Sequence, residues 1–375
     1  MKRRDKLNKP GFCPNNKCKL HRKELKIQYW YYKYGKYKTK AFGIVQRYKC
    51  RYCNTYFSEQ TFSIDYYAKR VIDYKELLKK LVSTSSNHDI SRDFDISTGT
   101  VSNKISRLSR QAIAVHEELK KEIVLKDSLV ADGFESFAVS EYFPNNITIL
   151  AFSKSQYIYY LNYTTIRRKG RMNKTQKIKR KMLEEVYKAP VKGVEIAFLN
   201  ILYEIEKINK VKSCVQLYTD EKPDYVRALM RHVYGYRELT HIKISSRKAR
   251  NYQNKLFPSN YIDRQIRKDL ANHVRETVCF ARNVNNCLER MMIYMMYHNY
   301  IKLFREKFRG KDNIIHAEKA GIDRALIDKS LENVYTHRKF LSLENITDSF
   351  EEVWNRLLIT PLKSNPDYLP GYAVA

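Results

Sequence analysis

Two close pairs of cysteines lie near the N-terminus of the 375-residue chain, in the stretches CPNNKC and CRYC. Tetrahedral zinc takes four soft ligands, and two short-spaced pairs that meet in space supply four thiolates. Bound zinc would also contribute folding free energy that a small, strongly basic module lacks. The alternative is four free cysteines in a reducing compartment. We predict one structural Zn²⁺, with Phe57 packed beneath it and with four ligands: Cys13, Cys18, Cys50 and Cys53.

Two aspartates each follow an apolar, strand-like run, Asp132 after SLVA and Asp220 after CVQLYT. An unpaired carboxylate at the end of a buried strand is costly, so two of them favour a divalent cation. Phosphoryl transfer by two metal ions about 3.5–4 Å apart uses carboxylates gathered in this way. Either acid alone would more often be a capping or ion-paired residue. As a pair, they predict a catalytic magnesium site.

A third carboxylate is expected from a helix that Ser259 or Asn260 could cap and that runs on to Asn283. The acids available on it are Asp263, Asp269 and Glu276. At about 100° per residue, the last two share a face that Asp263 does not. We predict Asp263 as the third magnesium ligand, because it lies near the start of the helix, and keep Glu276 as its rival. Basic residues of the same stretch are expected to hold DNA, namely Arg264, Arg267, Lys268 and Arg275.

Residues 87–108 have the apolar spacing of two short helices, with a turn at Asp95-Ile96-Ser97. Ser97 or Thr98 can cap the second helix. This pattern predicts a helix-turn-helix, although an ordinary helical hairpin has similar spacing. Its second helix would present side chains suited to base edges and phosphates, at Thr98, Thr100, Ser102, Asn103, Lys104 and Arg107.

The net charge of +31 favours a polyanionic partner, with nucleic acid ahead of an acidic membrane surface. We find no run of 18 apolar residues and no signal-peptide pattern, and therefore expect a cytoplasmic, nucleoid-associated protein without membrane contact. The stretch Arg167–Lys181 holds nine basic residues and no acid. It is interpreted either as a solvated helix face or as a contact to the DNA backbone.

The elements that must position these residues alternate in type along the chain. Short β-like pieces fill residues 1–65 and helices fill 70–125, and helices again dominate from Ile262 onward. Between them, a long helical stretch at about 174–207 interrupts five predicted strands: Ser128–Ala131, Ile147–Phe152, Tyr157–Tyr163, Cys214–Thr219 and His241–Ile244. The prediction is a multidomain α+β protein.

The ordered set of motifs resembles the bacterial insertion-sequence transposases of the DDE type that carry an N-terminal zinc ribbon. The resemblance spans nearly the whole chain. It is carried by CPNNKC with YKCRYC, TFSIDYY, VADGFESF around Asp132, YTDEKPDY around Asp220 and NYIDRQIRKDLANHVRETVCFARN. The chain departs from the family at the third acid, where Ile262-Asp263-Arg264 has aspartate in place of glutamate.

The resemblance implies a zinc ribbon at 1–65, a helix-turn-helix domain at 66–125 and an RNase H-like catalytic domain with a mixed sheet at 126–310. A basic helical insertion near 165–210 and a helical C-terminal extension at 311–375 complete the expected architecture. The expected activity is Mg²⁺-dependent cutting and joining of double-stranded DNA at terminal inverted repeats and target DNA, by a homo-oligomer assembled on DNA. The alternatives are a catalytically inactive or domesticated DNA-binding regulator, and a nuclease with no joining step.

Overall fold

The computed structural model describes residues 10–22, 27–210, 214–232, 238–274, 277–308 and 310–374. Its strands form two sheets. The strands are β1 (Tyr31–Thr39), β2 (Gly43–Cys50), β3 (Tyr56–Ser58), β4 (Leu129–Phe137), β5 (Pro144–Phe152), β6 (Ile158–Thr165), β7 (Val215–Thr219) and β8 (Leu239–Lys243).

The described helices lie before, between and after the strands of the larger sheet. They are α1 (Tyr74–Leu81), α2 (Asn87–Phe94), α3 (Thr98–Leu119), α4 (Lys174–Val186), α5 (Gly193–Ile208), α6 (Pro223–Arg231), α7 (Phe257–Asp269), α8 (Val284–Tyr300), α9 (His316–Lys319), α10 (Arg324–Glu332), α11 (Asp348–Trp354) and α12 (Gly371–Val374). None of the helices in these ranges is long and apolar enough to cross a membrane.

The larger sheet is mixed and has the strand order β6-β5-β4-β7-β8. Strands β4, β5 and β6 are antiparallel neighbours, whereas β7 runs parallel to both β4 and β8. Helix α5 packs on β5 and β6, and α7 packs on β4 and β5. The chain is therefore a mixed α+β protein, and its sheet is compatible with the RNase H-like fold.

Most buried apolar side chains belong to one continuous cluster that extends from Ile64 to Trp354. Helix α3 joins the N-terminal helices to the sheet region, because its second half is buried on all sides and packs along α8. Among the described residues, this cluster continues across residues 125 and 310. A separate small cluster surrounds the four cysteines.

The N-terminal helices are also tied to the sheet region by polar contacts. The backbone N–H of Thr84 donates to the carbonyl of Asp269, the last residue of α7, at 3.1 Å. The buried guanidinium of Arg290, on α8, donates to Oδ1 of Asn87 at 2.6 Å. The first contact holds the segment before α2 against the end of α7, and the second holds the start of α2 against α8.

Two stretches predicted as helical are defined more closely by the structure. The long helical stretch expected at about 174–207 consists of two helices, separated by residues 187–192, which include Pro190. Proline has no N–H and disfavours a helical conformation in the residue before it. The helix expected to reach Asn283 ends at Asp269, and a short 3₁₀ turn follows it. It also begins at Phe257, so Ser259 and Asn260 lie within its first turn and do not cap it.

Candidate functional site

Asp132 and Asp220 come together because their strands are parallel neighbours in the sheet. Val130 of β4 pairs with Tyr218 of β7, and continuing this register by two residues sets the two aspartates level. Asp220 directly follows β7, as predicted. Asp132 does not end its strand: β4 continues to Phe137, because the whole segment pairs with β5. The predicted strand end at Asp132 is therefore wrong, while its position beside Asp220 stands.

Local contacts hold the Asp132 carboxylate in place. The backbone N–H of Gly133 donates to Oδ1 at 2.8 Å, and the hydroxyl of Ser259 donates to Oδ2 at 3.2 Å. A side chain at residue 133 would clash, because a Cβ there would lie 2.0 Å from Nδ2 of the buried Asn146. Ser259 belongs to the first turn of α7, so this helix covers the face of the sheet that carries Asp132.

Asp263 lies one helical turn after Ser259 on α7, which directs it toward the same region. Burial, followed by the negative charge of Asp132, raises its pKa to about 7. Burial, followed by the charge of Asp220, raises the pKa of Asp132 to about 6. All three carboxylates are half-buried, and the negative charge of Asp132 repels both Asp220 and Asp263.

Two arginines partly offset this repulsion. Arg250 lowers the pKa of both Asp132 and Asp263, and Arg267 lowers that of Asp263. Arg250 donates to Oδ1 of Asn260, and Arg267 lies over the ring of Phe134, 4.5 Å from its centroid. Among the described residues, Arg250 forms no ion pair within 4.0 Å of these carboxylates. A divalent cation would remove a repulsion that the arginines leave in place.

Asp269, another candidate for the third acid, differs from Asp263 in its contacts. Asp269 is buried, and its carboxylate is paired with Lys302 at 2.8 Å, which explains its position without a metal. Glu276 and Arg275 lie outside the described residues. The argument from a shared helix face does not apply to Glu276, because α7 ends at Asp269.

The sequence interpretation missed Arg250 and the role of Ser259. Arg250 belongs to an acid-free connection between β8 and α7, SSRKARNYQNK, in which the basic residues were a readable signal. Ser259 was considered only as a helix cap. Its contact with Asp132 depends on the packing of α7 against β4, which the sequence pattern does not reveal.

The four cysteines predicted as zinc ligands are brought together. Their sulfur atoms all lie within 4.8 Å of one another, and those of Cys13 and Cys53 are 3.5 Å apart. Zinc–sulfur bonds of about 2.3 Å in a tetrahedron give sulfur separations of about 3.8 Å, so the cluster fits the ion. Phe57 packs in the surrounding cluster, as predicted, together with Trp30 and Tyr48.

Among the described residues, this cluster is the only set of three or more such ligand groups within 4.8 Å of one another. The carboxylates of Asp132, Asp220 and Asp263 are therefore spaced more widely than three ligands of a single ion.

The predicted pair of helices is present as α2 and α3, but the second is not short: α3 has 22 residues and continues past residue 108 to Leu119. Ser97 caps α3 through the N–H of Thr100 at 3.2 Å, and Asp95 takes the left-handed conformation that ends α2. Asn103 is exposed, and its Oδ1 accepts from Nε of Arg107 at 2.8 Å. Thr98, Thr100, Ser102 and Arg107 are half-buried on the same helix.

The expected exposure of Lys104 is wrong. Its side chain is 1% exposed and forms a salt bridge with Asp65. Asp65 also accepts from the hydroxyl of Tyr74 at 2.9 Å. Lys104 thus joins α3 to the segment that leads out of the cysteine module, and it cannot reach DNA from this position.

Helix α4 carries much of the predicted basic run and buries none of its residues. Glu184 pairs with Arg167 and Arg180 within this region. Helix α4 carries four exposed lysines that form no ion pair with a described residue. Three of them, which we call the α4 lysines, are Lys174, Lys177 and Lys181.

No protein-family model matches the chain, and no curated protein matches its sequence. Among solved structures, the chain is similar to the crystal structure of the Mos1 strand transfer complex, at 12% sequence identity and a TM-score of 0.24. The alignment covers 72% of this chain and 79% of that chain. A TM-score of this size does not establish a common fold.

Proposed function

We propose that this protein is a DNA transposase that binds the ends of its element and cuts and joins DNA strands by two-metal phosphoryl transfer. The observation that carries the proposal is the meeting of Asp132, Asp220 and Asp263 from β4, the end of β7 and α7. Repelling, half-buried carboxylates at one point of a mixed sheet are suited to binding divalent cations.

When bound, Mg²⁺ would supply the charge that lets water, and later a 3′-hydroxyl, attack a phosphodiester in line. The protein's own residues prepare the site. Ser259 and the Gly133 N–H orient the Asp132 carboxylate. Arg250 lies close enough to influence two of the acids, and from there its guanidinium can bind a phosphate of the scissile strand.

Recognition of the DNA ends is assigned to α2 and α3, with the exposed Asn103 facing base edges. The α4 lysines and the basic cysteine module would contact phosphates and add affinity that does not depend on sequence. Zinc bound by the four cysteines would hold the basic module in its folded form.

The proposal is tested on a supercoiled plasmid that carries the DNA flanking the coding sequence, incubated with Mg²⁺ or Mn²⁺. Joined products support a transposase, and nicks without joining indicate a nuclease. Binding with no strand cleavage indicates a regulator.

Variants of the acidic residues identify the site. Asp132→Asn, Asp220→Asn and Asp263→Asn should each abolish cleavage while retaining binding to the flanking DNA. Asp269→Asn is the matched control on α7, and any folded fraction of it should still cut. If Asp263→Asn cuts normally and Glu276→Gln does not cut, the third magnesium ligand is Glu276 and not Asp263.

A further inference from the structure

The outward face of the small sheet β1–β2–β3 gathers tyrosines around basic side chains. Lys49, on β2, pairs with Tyr32 of β1 on one side and with Tyr56 of β3 on the other. The three side chains therefore project from the same face. Tyr34 joins them, since its ring centroid lies 4.9 Å from that of Tyr56. We call this set, together with Arg51, the tyrosine face.

The opposite face of the same sheet is the one that packs on the cysteines. Tyr48 and Phe57 are paired across β2 and β3, and both are buried in the cluster around the cysteines. None of the described residues covers the tyrosine face in this way: Tyr34 is 46% exposed and Tyr56 is 53% exposed. Large aromatic rings left in water on a small sheet are available to a partner.

Positive charge surrounds these rings. Lys49 lies 5.2 Å from the centroid of the Tyr56 ring, and Arg51 lies 5.3 Å from that of Tyr32. Residues 27–58 contain seven lysines and arginines and no aspartate or glutamate. The partner that complements this face is therefore negatively charged and has flat rings of its own.

We propose that the tyrosine face binds single-stranded DNA, with unpaired bases stacked on Tyr34 and Tyr56 and with phosphates held by Lys49 and Arg51. Proteins that bind single strands combine aromatic platforms with basic grooves in this way, and each stacked base contributes about 1–3 kcal/mol. In a duplex the base faces are covered by their neighbours, so a duplex could use the charges but not the rings.

The choice of DNA over RNA rests on the proposed function, because strand cutting and joining exposes unpaired DNA ends. The single-strand site itself does not depend on catalysis. Asp263→Asn, which should not cleave, is expected to bind single-stranded DNA as tightly as the unaltered protein. The two proposals can therefore fail separately.

The test measures binding of the full-length, zinc-loaded protein to a fluorescent poly-dT oligonucleotide of about 20 nucleotides, at about 0.3 M salt to suppress contacts that are purely electrostatic. The double variant Tyr34→Val/Tyr56→Val should bind at least about thirtyfold more weakly, since two stacking platforms are lost. Valine keeps the strand preference of the sheet. Tyr34→Phe/Tyr56→Phe keeps both rings and should bind normally.

Two controls separate stacking from damage to the module and from general loss of charge contacts. Zinc content and binding to duplex DNA should be unchanged in the valine variant. Tyr368→Val removes an 86% exposed tyrosine elsewhere and should have no effect.

Three results would overturn the inference. They are normal single-strand binding by the valine variant, an equal loss of duplex and single-strand binding with zinc retained, and a tenfold preference for the equivalent RNA oligonucleotide.

Discussion

Replacing Asp263 with asparagine should stabilise the metal-free protein, although it should abolish cleavage. The pKa of Asp263 is raised from 3.8 to about 7, first by burial and then by Asp132. A raised carboxyl pKa means that the folded state holds a proton which the unfolded state has released. Stability is therefore complete below about pH 4 and is lost as the pH rises to about 7.

The magnitude follows from the size of this shift. Each pKa unit corresponds to about 1.36 kcal/mol, so the charged Asp263 costs up to about 4 kcal/mol at pH 8 and about 2 kcal/mol at pH 5. Asparagine has nearly the same shape and no charge, so it removes this cost. With an unfolding entropy of about 2.1 cal/mol/K per residue, the melting temperature should rise by about 5 °C at pH 8 and about 2 °C at pH 5.

The assay is thermal unfolding in EDTA at both pH values, with Asp269→Asn as the matched control. Asp269 is on the same helix but is paired with Lys302, so its replacement should lower the melting temperature, because breaking a buried ion pair costs about 3–5 kcal/mol. Added Mg²⁺ should stabilise the unaltered protein more than Asp263→Asn. A destabilised Asp263→Asn, or a stabilisation that is the same at pH 5 and pH 8, would refute the reasoning.

Three further predictions follow from the other sites. Cys53→Ser should lose the roughly one zinc ion per chain that metal analysis of the unaltered protein should find, whereas the exposed Cys214→Ser should retain it. Asn103→Ala should reduce discrimination between DNA sequences by about 1–3 kcal/mol in competition binding. Neutralising the α4 lysines should instead weaken binding to all DNA, and the slope of log K against log salt concentration should become shallower by about one unit per lost phosphate contact. Lys104→Met should lower the free energy of unfolding by about 3–5 kcal/mol in a denaturant titration, because it leaves the buried charge of Asp65 without its ion-pair partner. Adding Asp65→Asn should recover part of that loss. A stable Lys104→Met that has lost DNA binding would contradict the structural role.

The features that could be predicted are those set by local pattern. The cysteine spacing predicted the ligand cluster, and the five apolar runs predicted the five strands of the larger sheet, four of them within three residues at each end. Ser97 was readable as a cap because capping depends on contacts within a few residues of the same chain segment. Asp132 and Asp220 could be paired because both follow apolar runs, even though one of those runs continues past its aspartate.

The features that could not be predicted depend on what packs against what. Lys104 has the sequence position of an exposed recognition residue, but α3 lies against the segment containing Asp65, which turns that lysine inward. The end of α7 was misjudged because no proline or glycine marks it: Asp269 is followed by Leu270, Ala271 and Asn272, which are buried. Arg250, in the connection before α7, acts on Asp132 and Asp263 through a proximity that no local sequence pattern predicts.

The contacts between Thr84 and Asp269, and between Arg290 and Asn87, have a mechanical consequence for the proposed activity. The first binds the segment just before α2 to the end of α7, the helix that carries Asp263, and the second binds the start of α2 to α8. The recognition helices and Asp263 are thereby held at a fixed separation. In such an arrangement the number of base pairs between the recognised sequence and the cut phosphate is set by the protein itself. A flexible linker would let the cut fall at several phosphates, whereas a fixed separation would confine it to one.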